Sequence, residues 1–169
     1  HIMIPHETLE IFSSTWWQTN LITIGIIGLL IFLGKSINKK NRELLAKLIG
    51  AILIFRTIGI HFYLNHLNLW TIESNLPLHL CGLSAILSGI VLFWRKQWAY
   101  ECLYYWGLPG AFHSFLSPEF TSGTEGLLFF EYYLSHGGIF LSALYITLLL
   151  DMKPRKNSWW KIFLWSQLL

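Results

Sequence analysis

Residues 76–85 read Leu-Pro-Leu-His-Leu-Cys-Gly-Leu-Ser-Ala. They open an apolar run that continues to Trp94, yet they hold an imidazole and a thiol two positions apart. Pro77 suits the first turn of a helix, where the N–H it lacks would have no intrahelical partner anyway. Residues 77–94 therefore read as a helix with an apolar body and a chemically equipped mouth. A helix that is apolar all round is either enclosed in protein or surrounded by lipid.

The whole chain decides between these. Only 12% of its 169 residues are charged and 54% are hydrophobic, against about 25% charged in a soluble domain. So few charges cannot cover a water-facing surface, and several apolar runs have membrane-spanning length. Residues 18–33, 44–63, 77–94, 98–116 and 127–150 are predicted as five complete spans, the fourth broken in the middle by Gly107-Leu-Pro-Gly110. Residues 159–169 are apolar but short of the roughly 20 residues a crossing needs. They read as the start of a sixth span, with the C-terminus incomplete. The expected fold is all-α: one polytopic transmembrane helical bundle over residues 1–169.

Charge supports this layout independently. Lys35, Lys39, Lys40 and Arg42 follow the first span, Arg95 and Lys96 the third, and Lys153, Arg155 and Lys156 the fifth. The other two loops hold no Lys or Arg. That alternation puts the N-terminus outside. The net charge of +3 is too small to point to nucleic acid, and no nucleic-acid partner is expected. Cys81 and Cys102 fall near opposite membrane faces, so no disulfide is expected.

The layout gathers polar groups that lie far apart in sequence. Arg56, His79, Cys81, His113, Glu131 and His136 all fall in the outer half of their spans. Ionisable groups inside a membrane are costly and tend to face a cavity or a partner. Cys81 lies about one turn into its helix, where the positive helix end favours a thiolate; a small buried hydrophobe is the plainer alternative. His136, in Leu-Ser-His-Gly-Gly, is suited to general-base work, or to a helix–helix hydrogen bond. His79 stands about 200° around the helix from Cys81 and would flank the pocket. His113 follows the proline break as a second pocket histidine. Arg56 needs an anion: Glu131 in a structural ion pair, or a lipid phosphate. Glu101, near the inner face, reads as an anchor.

The motifs at 76–81, at 105–111 (Tyr-Trp-Gly-Leu-Pro-Gly-Ala) and at 134–138 resemble those of the YwaF-type bacterial integral membrane proteins. An animal relative of that family is an acyltransferase that moves polyunsaturated acyl chains onto ether phospholipids. The resemblance implies a Cys–His pair acting on acyl esters, with Cys81 as nucleophile and His136 as base. It implies a phospholipid or lysophospholipid partner, no cofactor or metal, and a place in the bacterial cytoplasmic membrane. A more distant similarity is to the androgen-induced membrane hydrolases, which pair Thr with His. The residues alone leave a rival open: a non-enzymatic bundle that binds a transition metal or relays protons through its His, Cys and Glu groups.

Overall fold

The computed structural model describes residues 7–72, 80–120, 124 and 126–168. They are almost wholly helical. Helix α1 spans Ser14–Ser36, α2 Lys39–His66, α3 Leu80–Phe93, α4 Gln97–Cys102, α5 Leu108–Leu116, α6 Gly126–Leu149 and α7 Ser158–Ser166. A π-helical turn, Leu103–Gly107, joins α4 to α5, so residues 97–116 follow one continuous helical path. Among the described residues, three helices, α1, α2 and α6, are long and apolar enough to cross a membrane. Within the third expected span only α3, 14 residues, is described. The segments before α1 and after α5 pair as a two-residue antiparallel ladder. Strand β1 (Glu7–Thr8) meets β2 (Glu119–Phe120), with Glu7 opposite Phe120.

The α1–α2 turn is set by local chemistry. Asn38 caps α2 by accepting from the Asn41 N–H at 2.9 Å. Arg42 then donates from Nε to the Gly34 carbonyl at 2.7 Å, satisfying an orphan acceptor at the end of α1. Helix α6 is the central element: 56% of its most apolar stretch is buried, against 17% for α1 and 22% for α2. The outer helices leave large apolar side chains such as Phe32, Phe55 and Phe62 exposed, which a lipid surrounding accommodates.

Contacts give the helix directions. Thr19 meets Tyr133 and Gly34 lies against Tyr145 and Leu149, so α1 runs parallel to α6. Arg56 meets Glu131 and Leu53 meets Gly138, so α2 runs antiparallel to it. Helices α2 and α3 are antiparallel and touch through glycines. A methyl group added at Gly89 would lie 2.7 Å from Ile54 Cγ1 and 3.2 Å from the Gly50 carbonyl oxygen. Small residues allow such backbone approach between membrane helices. Gly89→Ile should therefore force α2 and α3 apart and cost about 1–3 kcal/mol, read as a lower unfolding midpoint in detergent; an unchanged midpoint would refute the tight contact.

The basic loops gather at one end of the bundle. Arg95 pairs with Glu43, and Gln97 donates to the Lys153 carbonyl at 2.8 Å. Glu101, 1% exposed, accepts from Arg155 Nη2 at 2.8 Å, from the Arg155 backbone N–H and from Gln97. The anchoring role expected of Glu101 is thus a latch that holds the loop after α6 to α4. The hydrogen bonds to this carboxylate hold the Arg155 guanidinium above its ordinary pKa.

Candidate functional site

Cys81 lies in the first turn of α3 and is half-buried. Its helix face continues through Ser84, Ala85 and Ser88, all buried, at the i, i+3, i+4, i+7 spacing of one helical row. This row faces the 97–116 segment. A methyl group at Gly110 would lie 3.6 Å from the Cys81 sulfur, and one at Gly107 would lie 3.7 Å from Ser84 Cβ. The two glycines of Gly-Leu-Pro-Gly thus stand opposite a thiol and a hydroxyl.

Proline explains the shape of that segment. Pro109 has no N–H to offer the Tyr105 carbonyl, and its ring crowds that carbonyl. The chain widens into the π turn immediately before it, as helices do where a residue cannot join the regular ladder. The expected break is therefore a wider turn rather than an interruption. At its far end α5 must satisfy its last four carbonyls, and each has a partner. Ser117 N–H donates to His113 O at 2.9 Å. Tyr132 Oη donates to Ser114 O at 3.1 Å, Asn20 Nδ2 to Phe115 O at 3.1 Å, and Trp16 Nε1 to Leu116 O at 3.0 Å. Helices α1 and α6 thereby fix α5, and with it Gly110, against the thiol.

His136 lies on α6, four residues beyond Tyr132. Its Nδ1 is 2.8 Å from the Tyr132 carbonyl oxygen. A carbonyl only accepts, so Nδ1 carries the hydrogen, and Nε2 is the proton-accepting nitrogen of the neutral ring. The Tyr132 and His136 rings lie 4.3 Å apart between centroids. The Tyr132 hydroxyl, through its bond to the Ser114 carbonyl, holds α5 one turn beyond Gly110, the residue that faces the Cys81 sulfur. Tyr132 thus links the imidazole to the helix opposite the thiol. Its position escaped the sequence reading because it looks like one more belt aromatic. The available signal was its i, i+4 spacing from His136, which puts the two on one helix face.

The other expected site residues fall as follows. Arg56 Nη1 donates to Glu131 Oε1, with side-chain exposures of 9% and 19%, and Arg56 Nη2 donates to Thr57 Oγ1 at 3.0 Å. Arg56 and Glu131 thus form an ion pair between α2 and α6. His113 is exposed on α5. His79 lies outside the described residues. Gly137 and Gly138 serve packing: a methyl group at Gly137 would lie 3.1 Å from Thr23, and one at Gly138 would run into Leu53. On this side of α6 an apolar cleft of about 340 Å³ opens between α1 and α2, with Leu134, Gly137 and Leu141 among its lining residues. Among the described residues, no three His, Cys, Asp or Glu side chains gather as a metal site.

A family model described as the TMEM164 family matches residues 9–169. The chain belongs to the TMEM164 family. No curated protein and no solved structure matches it. Membership and the three long apolar helices agree that this TMEM164-family chain is a membrane protein. All three motifs noted in the sequence lie inside the matched region.

Proposed function

We propose that this chain is a membrane-embedded lipid acyltransferase, or acyl-ester hydrolase, that works through Cys81 and His136. One observation carries the reading: Tyr132 lies against an imidazole whose Nε2 is its proton acceptor, and its hydroxyl holds α5, whose Gly110 faces the half-buried thiol. His136 takes the thiol proton, and the sulfur attacks the ester carbonyl of a membrane lipid to form a thioester. The protonated imidazole returns its proton to the departing alkoxide. A second lipid, or water, is then deprotonated by His136 and takes the acyl group from sulfur. His113 and His79 would border the substrate, and the Arg56–Glu131 pair would hold α2 against α6 beside it. The test is to incubate purified protein with a long-chain p-nitrophenyl ester and map the adduct by mass spectrometry. A single hydroxylamine-sensitive acyl group on the Cys81 peptide is expected; turnover with acylation elsewhere would sink the scheme. The metal-binding alternative has no gathered ligand set among the described residues to support it.

Five spans with the N-terminus outside remain our reading of the topology of residues 18–150. It is supported by the alternating directions of successive helices and by the basic loops at one end. The three motifs favour the bacterial YwaF-type branch of the family, and so the cytoplasmic membrane. In a background where Cys81 and Cys102 are replaced, Ser117→Cys should react with an impermeant maleimide added to intact cells. Lys156→Cys should react only after lysis, and the opposite pattern would invert the topology.

A further inference from the structure

Ser84 is 1% exposed, and its hydroxyl has no hydrogen-bond partner. Helical hydroxyls elsewhere in this chain bond back to a carbonyl one turn earlier. Ser88 donates to Ala85 O at 2.6 Å, Ser114 to Gly110 O at 2.9 Å, Thr57 to Leu53 O at 2.9 Å and Thr147 to Ala143 O at 2.6 Å. Ser84 forgoes that bond although it is on a regular helix. Buried donors are nearly always paired, because an unpaired one costs the full desolvation of the group. Ser142 shares the condition, but it lies six residues beyond His136, roughly 9 Å along α6. Ser84 is one turn from the thiol on the same face of α3, and glycine stands opposite both.

We propose that the Ser84 hydroxyl is the donor that stabilises the oxyanion formed when Cys81 attacks an acyl ester. The inference rests on the reading of Cys81 as nucleophile. Residues at i and i+3 on a helix have Cβ atoms about 5–6 Å apart, so a carbonyl carbon held at the sulfur can point its oxygen toward Ser84. Gly110 leaves the space beside the sulfur free of other side chains, while Ile139 and Leu103 close the far side at Gly107. As the C–S bond forms, the carbonyl π pair moves onto oxygen, and Ser84 O–H donates to it. Collapse restores the C=O bond and breaks the ester C–O bond. The alkoxide leaves as the lipid alcohol, with the proton that His136 took from the thiol. The partner missing in the free protein is then the substrate itself, met most strongly at the transition state.

The test uses Ser84→Ala, nearly isosteric with the native residue, in the full chain with a long-chain p-nitrophenyl ester. The p-nitrophenolate burst, which reads acylation, should slow by roughly 10²–10³-fold with KM little changed, the loss seen on removing one oxyanion donor. The unfolding midpoint should hold or rise, because an unpaired buried hydroxyl has gone. In the trapped thioester the infrared carbonyl stretch should be lowered in the native protein and return to that of a free thioester in Ser84→Ala. A native burst rate in Ser84→Ala, with Cys81→Ala inactive, overturns this inference alone. So does slowing accompanied by a lower midpoint and an unmoved carbonyl band, which makes Ser84 a packing residue. Full turnover by Cys81→Ala overturns the nucleophile assignment and this inference with it.

Discussion

Cys81→Ala is expected to lose acyl transfer by on the order of 10⁴-fold or more, the scale seen when the nucleophile or base of a covalent machinery is removed. The substitution takes out only a sulfur at the edge of a packed row. Ser84, Ala85 and Ser88 carry the buried part of that row. Folding should therefore survive, and the loss should appear in kcat and in kcat/KM together. Cys102 supplies the control. It is also a free thiol, but it is 1% exposed on α4, packed away from any surface a substrate could reach. Cys102→Ala should keep the rate of the parent. Equal losses in the two variants, or full turnover by Cys81→Ala, would remove the covalent mechanism.

Breaking the Arg56–Glu131 pair should cost more stability than any other single change described above. Arg56→Met leaves the Glu131 carboxylate facing a hole, and Glu131→Gln leaves a guanidinium 9% exposed without its counter-charge. Removing one partner of a buried pair costs about 3–5 kcal/mol, whereas replacing both by apolar groups of similar size is often neutral or better. Arg56→Met combined with Glu131→Leu should thus recover most of what either single variant loses, measured as unfolding midpoints in one detergent. Additive losses would refute the pair as a stabilising unit. A loss confined to KM for a phospholipid substrate, with stability intact, would instead make Arg56 a headgroup contact.

Much of this was open to reading from residues and charge. Helices α1, α2 and α6 announce themselves by apolar length, and the basic clusters at Lys39, Arg95 and Arg155 assemble where alternation of the loops puts them. Arg56 and Glu131 were legible as partners because an uncompensated charge at that depth is untenable. The details of the site were harder. Tyr132 matters through its hydroxyl, which reaches Ser114 on another helix, and nothing in the Phe-Phe-Glu-Tyr-Tyr run separates it from its neighbours. Ser84 matters because of a bond it does not make, and composition carries no trace of that. Gly137 and Gly138 receive Thr23 and Leu53 from the neighbouring helices. They flank His136 in sequence, yet successive helical residues turn by about 100°, so they face α1 and α2 rather than the imidazole. The β1–β2 ladder is two residues long, too brief for any periodic signal.

Eight consecutive residues of α6 serve three neighbours. Glu131 reaches α2, Tyr132 reaches α5, and Gly137 and Gly138 receive α1 and α2. Each duty belongs to an angle around the axis, and the angles are assigned by counting. One inserted or deleted residue between Glu131 and Gly138 would turn everything downstream by about 100°. Placed between Tyr132 and His136, such a change would carry the imidazole off the Tyr132 face while the glycines swung away from Thr23 and Leu53. Conservative replacements can be absorbed one contact at a time, but a change of length cannot. Through this stretch, then, spacing is a stricter inheritance than the identity of most of its side chains.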